Sequence, residues 1–260
     1  MKNVHSTHIA STIFSVQLTP CTRQTFADSC NHLLLQNEKI SIATVNPEIL
    51  LRAKKGKNFR AVLSMCTLKI IDGFGISFVS FFKHGVTLPR LTGSEAVEEL
   101  ILIAKKQSFV IGVVGGKQGR ATSAVKHLSK KFPGVVFADL LDGQDCQVTD
   151  KGEFVSGDRY FREGIEKYKP NILLVALGAL KQESFLLKEL KASTSLKIAI
   201  GIGGLIDVWS GQIRRPPRFF SRFGIEWVWR LFQEPSRFTR ILNAVIVFPI
   251  QAIFFDNTYE

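Results

Sequence analysis

Residues 171–191 read NILLVALGALKQESFLLKELK. The first seven, Asn171–Leu177, are an apolar run with no polar alternation after the asparagine. A strand whose two faces are both apolar has to be covered on both faces. Gly178 breaks the run, and from Lys181 to Lys191 apolar residues return at helical spacing. Strand, glycine turn and helix in that order form half of a parallel βαβ unit.

The same grammar extends in both directions. Further strand-like runs are Ile40–Thr44 (ISIAT), Phe109–Val114 (FVIGVV), Val135–Ala138 and Lys197–Ile202 (KIAIGI). Helical patterns fall at Pro47–Lys57, Ser94–Lys106, Gly119–Lys131 and Gly157–Tyr168. Asn46 followed by Pro47 is an N-cap with proline at the first helical position. The expected fold is α/β, a Rossmann-like, mainly parallel sheet flanked by helices, with a small helical Arg-rich C-terminal appendage. Ligands in such sheets sit beyond the carboxyl ends of the strands. Thr44 and Asn46, Gly115 and Gly116, Gly178, and Gly203 and Gly204 all fall at those ends.

The chain has 260 residues, enough for one large domain with an appendage. With 45% hydrophobic residues it is not a disordered chain. Thirty-four Lys and Arg stand against 22 Asp and Glu, a net charge of +12. Such a chain attracts anionic partners: nucleic acid, phosphate-rich small molecules or an acidic membrane face. Cys21, Cys30, Cys66 and Cys146 form no C-x-x-C pair, and the five histidines are scattered. Reduced thiols are expected, and no metal site. The first twenty residues lack the pattern of a secretory signal, and no apolar run reaches the roughly 18 residues of a spanning helix.

Composition changes near Asp207. Between Gly211 and Arg240 stand seven arginines (Arg214, Arg215, Arg218, Arg222, Arg230, Arg237 and Arg240), no lysine, and only Glu226 and Glu234 as acids. Trp209, Trp227 and Trp229 lie in or just before this stretch, and Ile241–Phe255 is almost wholly apolar. The reading is a core over residues 1–207 and a membrane-association appendage over 208–260. Arginines interleaved with aromatics suit lipid headgroups. At 1.5 Å per residue, Ile241–Phe255 falls short of a hydrocarbon core roughly 30 Å thick, so it would lie on or dip into a membrane. A buried core helix is the structural alternative.

The glycine loops do not identify a nucleotide by themselves. In Gly112–Gly119 (GVVGGKQG), Gln118 stands where a Walker A loop needs Ser or Thr, and in Gly201–Gly204 the third glycine of G-x-G-x-x-G is Ile206. Each serves equally as a tight strand-to-helix turn. Glycine-ended strands with a positive net charge do permit a nucleotide diphosphate. Asp72, between Ile71 and Gly73, sits on an open turn where it could act as a general base or cap the next helix. Gln182 and Glu183 open a helix, where the amide can reach a ligand and the carboxylate can cap. No D-x-D occurs, so the metal–nucleotide ligand pair of many sugar transferases is missing.

Eight blocks occur in order: Thr44–Glu48 (TVNPE), Ile71–Gly75 (IDGFG), Pro89–Gly93 (PRLTG), Val114–Lys117 (VGGK), Ala176–Glu183 (ALGALKQE), Gly201–Asp207 (GIGGLID), Ser210–Pro217 (SGQIRRPP), and Gly224–Leu231 (GIEWVWRL) with Glu234–Arg237. From about Ile13 to Arg240 the chain resembles the WecG/TagA/CpsF family of bacterial glycosyltransferases. That resemblance implies an inverting transferase that moves a sugar, N-acetylmannosamine in the best-known branches, from a UDP-sugar to a polyprenyl-diphosphate-linked sugar. Products of the family are teichoic acid linkage units, enterobacterial common antigen or exopolysaccharide. The implied setting is the cytoplasmic face of the cell membrane, with no cofactor, no metal and no nucleic acid. A homo-oligomer is compatible with it.

Carried onto this sequence, the resemblance makes Asp72 the base, with Thr44 as a catalytic residue and Asn46 as a polar ligand beside it. Arg90 and Gln182 become substrate-binding positions and Arg215, Arg230 and Arg237 diphosphate ligands; Gly115, Gly116 and Gly203, at the glycine-ended strands, complete the expected substrate-binding set. The family pattern has Pro where Ile71 and Leu180 stand, and Ala where Pro216 stands. These changes leave the reactive side chains intact and bear on donor choice. Two other readings use parts of the same sequence: a basic nucleic-acid-binding protein, and a noncatalytic lipid-bound relative.

Overall fold

The computed structural model describes residues 11–213, 229, 231–232 and 238–256. Its centre is a six-stranded, all-parallel sheet in the order β4-β3-β10-β9-β5-β6. The strands are β3 (Ile40–Val45), β4 (Leu68–Ile71), β5 (Val110–Gly115), β6 (Val136–Asp139), β9 (Ile172–Ala176) and β10 (Ile198–Gly201). Two small antiparallel ribbons accompany it, β1 (Thr12–Ile13) with β2 (Val16–Gln17), and β7 (Gln147–Val148) with β8 (Phe154–Ser156).

The continuous apolar runs have the covering they require. Every residue of β3, β9 and β10 is buried. Alternate side chains enter different cores: Ile172 and Leu174 pack on one face, Leu173 and Val175 on the other. The first face is covered by α1 (Arg23–Leu35), α5 (Gly93–Gln107), α6 (Arg120–Lys131) and the short α9 (Leu205–Trp209). The second is covered by α2 (Pro47–Lys55), α3 (Lys57–Met65), α4 (Phe74–His84), α7 (Asp158–Tyr168) and α8 (Lys181–Ala192).

The fold class is as the sequence reads, and several elements differ in detail. The helix expected over Pro47–Lys57 ends at Lys55, because Gly56 adopts an extended conformation, and a separate helix that the sequence reading did not include, α3, starts at Lys57. Strand β4 and helices α1 and α4 have no counterpart in the sequence reading. Helix α1 is announced only by the reciprocal hydrogen bonds of Thr22 and Thr25. Helix α4 has large apolar residues on its solvent side, which erases an amphipathic stripe.

Near the end of the chain, Ile241–Phe255 is not one uniform helix. Helix α10 (Phe238–Leu242) passes through a π-turn (Asn243–Val247) into α11 (Phe248–Phe254), and the π-turn falls just before Pro249, which has no N–H to give to the preceding helical turn. Phe248 and Ala252 are fully buried in the same core as Val45, Ile71 and Ile76. The Phe248 ring meets Phe14 edge-on at 6.1 Å. Asp256 accepts from the Phe14 backbone N–H and pairs with Lys83 at 3.7 Å. One face of this segment is therefore core, and the opposite face is exposed at Ile246, Ile250 and Phe254. Among the described residues no helix is long and apolar enough to cross a membrane.

Candidate active site

Beyond the carboxyl ends of β3, β4, β5, β9 and β10 lies a cleft of about 800 Å³. It occupies the place where chain connections leave β5 and β9 in opposite directions, the usual ligand position in open parallel sheets.

On one flank, Thr44, Asn46 and Asp72 converge. The backbone N–H of Asp72 donates to the Val45 carbonyl at 2.8 Å, which continues the β3–β4 pairing and fixes the turn that carries the carboxylate. Gly93, at the first turn of α5, packs against Thr44 and Asp72: a Cβ there would lie 3.4 Å from Thr44 Cγ2 and 3.9 Å from Asp72 Oδ2. The start of a helix is a favourable neighbour for a carboxylate. Thr44 Oγ1 donates to the Gly201 carbonyl at 3.0 Å and ties β3 to β10. Its proton is thus committed, and the hydroxyl meets a ligand as an acceptor. Asn46 Oδ1 accepts from the Ile49 N–H at 3.0 Å as the N-cap of α2, which leaves its NH2 as the ligand-facing donor.

The opposite flank is made of Gly116, Lys117 and Arg120 after β5, and Gly203–Asp207 after β10. Arg120 pairs with Asp207 across the cleft wall. Gly116 has φ +80°, and a Cβ there would lie 3.1 Å from both Arg120 Cβ and Ile206 Cδ1. Its N–H donates to the Ala176 carbonyl, and the Gly203 N–H donates to Gln182 Oε1. These two glycines therefore offer a ligand room rather than hydrogen-bond donors. The cations on this flank are Lys117 and Arg120, the latter paired with Asp207.

Gln182 is buried at the cleft floor, where its Nε2 donates to Glu183 Oε1 at 2.8 Å. A Cβ on Gly201 would fall 2.6 Å from that Nε2, so the amide and the glycine strand end fit together closely. Glu183 is fully buried, and its Oε2 accepts from the Leu180 N–H at 2.6 Å. Its role as a helix cap is thus realised, and it also orients Gln182. Burial pushes the Glu183 carboxyl above the usual carboxylate range, against the opposing pull of its hydrogen bonds. Leu180 is held at φ +74°, ψ −54°, a costly conformation for a branched residue.

Of the residues proposed from sequence, the cleft gathers Thr44, Asn46, Asp72, Gly116, Gln182 and Gly203. Gly115 sits just behind it, pressed against Ala176: a Cβ there would be 2.5 Å from the Ala176 carbonyl oxygen. Arg90 is exposed on the loop before α5 and does not line the cleft. Arg215, Arg230 and Arg237 lie outside the described residues, as do Arg214, Arg218, Arg222, Trp227, Glu226 and Glu234.

Sequence reasoning did not single out Arg120, Asp207, Glu48 or Arg240, all of which line the cleft. Arg240 is the one arginine of the C-terminal seven among the described residues, and it reaches Glu48 through Nη2 at 2.8 Å and Nε at 3.0 Å. Glu48 stands in the TVNPE block, directly after the Asn–Pro pair, which was the available signal.

The sequence model of the glycosyl transferase WecG/TagA/CpsF family matches residues 11–256. The chain belongs to this family. It is accordingly a glycosyltransferase. Among its relatives, a protein of Bacillus spizizenii named N-acetylglucosaminyldiphosphoundecaprenol N-acetyl-beta-D-mannosaminyltransferase is 30% identical over 237 residues, covering 88% of each chain. A Bacillus subtilis protein of the same name is 29% identical over 212 residues, covering 82% of this chain and 78% of the relative.

Proposed function

We propose that this chain transfers N-acetylmannosamine from a UDP-sugar to a polyprenyl-diphosphate-linked N-acetylglucosamine, with inversion, as a peripheral protein on the inner face of the cell membrane. The observation that carries the reading is the division of the cleft: the Asp72 carboxylate beside Thr44 and Asn46 on one flank, and Lys117 with the Arg120–Asp207 pair on the other. The names of the two Bacillus relatives supply the sugar and the acceptor. Their acceptor is lipid-linked, and the apolar C-terminal helix and the net charge of +12 support a membrane setting.

The chemistry is one in-line displacement. Asp72 accepts the proton of the attacking acceptor hydroxyl, whose oxygen forms the new bond to the anomeric carbon. The bond from that carbon to the donor diphosphate breaks on the opposite face, and its electron pair leaves with UDP. Charge gathering on the diphosphate is met by Lys117 and Arg120, and by arginines of the 214–237 stretch. Cation-based compensation of this kind works without metal.

The test is UDP release by the purified chain against UDP-N-acetylmannosamine, UDP-N-acetylglucosamine, UDP-glucose and UDP-glucuronate, each with a short-chain polyprenyl-diphosphate-N-acetylglucosamine, with and without EDTA. Acceptor-dependent release from the first donor, unchanged by EDTA, is expected. Release from a different donor alone overturns the sugar assignment, and loss of release in EDTA overturns the metal-free mechanism.

A further inference from the structure

Helix α4 leaves the cleft two residues after Asp72. Its inner side, Ile76, Ser77, Val79 and Ser80, is buried. Its outer side carries Phe74, Phe78 and Phe82, four residues apart, with ring centroids 6.3 and 6.4 Å from one another. Phe82 is 61% exposed. Phenylalanine has no polar handle, so a ladder of three in water has no compensating hydrogen bond.

Helix α11 lies alongside and runs in the same direction. Near the start of α4, a Cβ on Gly75 would lie 3.9 Å from the Phe248 ring, and at its end Lys83 meets Asp256. The outer side of α11 adds Ile250 and Phe254, the latter 69% exposed. The two helices thus present one apolar face. Lysines border it: Lys83, paired with Asp256, stands at the end of α4, and Lys54 Nζ donates to the Phe255 carbonyl at 3.2 Å beside Lys55. Exposed apolar faces rimmed by charge mark interaction sites.

We infer that the α4 phenylalanine ladder is a membrane-inserting element of the catalytic core, seated with α11 in the interfacial layer of an anionic bilayer. A second copy of the chain fits less well, because a self-complementary contact would set the lysine edges of two +12 chains against each other. An anionic bilayer meets both features, with acyl chains for the rings and headgroups for the lysines. Helix α4 begins two residues after the cleft-lining Asp72, and Arg240 of α10 lines the cleft at the head of the helical segment that continues into α11, so insertion would hold the cleft mouth at headgroup height. The inference rests on the proposed lipid-linked acceptor and adds a surface to it.

The test is co-sedimentation of the full chain with vesicles of equal phosphatidylglycerol and phosphatidylcholine, for the parent and for Phe78→Ser/Phe82→Ser. Both positions are exposed, and an unchanged thermal melt confirms the fold. The expected result is about tenfold weaker partition of the double variant. In Phe82→Trp, fluorescence beyond that of the parent is expected to be quenched by lipids brominated on their acyl chains. Equal partition of parent and variant, or no added quenching, overturns the inference. So does a parent dimer that the double variant converts to monomer, which would assign the face to a second copy. Turnover with a water-soluble short-chain acceptor is expected to be unchanged in the double variant, and turnover with vesicle-embedded acceptor to fall. A parent that turns over the soluble acceptor but binds no vesicle overturns this surface while leaving the transferase reading standing. A parent that binds vesicles through the ladder but transfers no sugar does the reverse.

Discussion

The two flanks of the cleft are built by opposite means. The Thr44–Asn46–Asp72 flank presents polar side chains whose orientation is set by bonds to strand ends and a helix start. The Gly116–Asp207 flank presents empty space made by glycines, with long cations reaching across it. The first arrangement fixes atoms in place, as proton removal needs; the second leaves room for a bulky charged group and neutralises it. One parallel sheet supplies both, because its strand ends differ in whether a side chain or a glycine follows.

Substitutions on each flank should therefore have different kinetic signatures. Asp72→Asn should cut kcat by about 10²–10⁴ with donor affinity nearly kept, read as turnover and as UDP-sugar binding by calorimetry. Loss of donor binding together with kcat would erase the division. Arg120→Ala should lower kcat/KM for the donor by about 10–100-fold and leave KM for the acceptor within about twofold, measured by varying each substrate in turn. Gly116→Ala should cost about 1–2 kcal/mol in urea unfolding, because alanine is strained at φ +80° and its methyl meets Arg120 and Ile206. The same change should raise donor KM more than acceptor KM.

The mildest test uses Cys146, a buried thiol on the cleft lining whose pKa burial raises to about 11. Maleimide labelling followed by mass spectrometry should be slow at pH 8 and quicken about tenfold per pH unit up to pH 10, since only the thiolate reacts. UDP should slow it, and a soluble acceptor alone should not. The raised value also has a stability consequence. A thiol higher in the folded than in the unfolded state stabilises below its unfolded value near 9.0, and that contribution is lost as pH rises through about 11. Cys30 and Cys66, raised to about 12 by burial, act in the same sense, so the melting temperature should fall between pH 9 and 11.

How much of this was legible depends on how far apart the partners lie in sequence. Strands buried on both faces announce themselves, and Ile172–Ala176 and Ile198–Gly201 fall within the runs read from composition. Strand β4 did not, because its four residues include Lys69, whose ammonium escapes to the Cys66 carbonyl at 2.7 Å. The Asp72 turn was visible in the IDGFG block, yet the helix that follows it was hidden by phenylalanines that face away from the core. The Glu48–Arg240 bridge joins residues 192 positions apart, and no local pattern encodes it. Gln182 was visible as a residue at a strand-to-helix junction. Its actual partners, Gly203 and Glu183, show that its amide carbonyl is occupied by the protein itself.

Phe14 and Asp256 meet across 242 positions of chain, and Phe248 fills the space between Phe14 and Gly75. During synthesis at about 5–20 residues per second, the rest of that core waits many seconds for its last ring. Through that interval the slot opens onto apolar surface directly beside the turn that carries Asp72. The growing chain would then hold this open apolar slot and its base side by side until residue 248 arrives, so a chaperone or a nearby bilayer would be the natural cover for both.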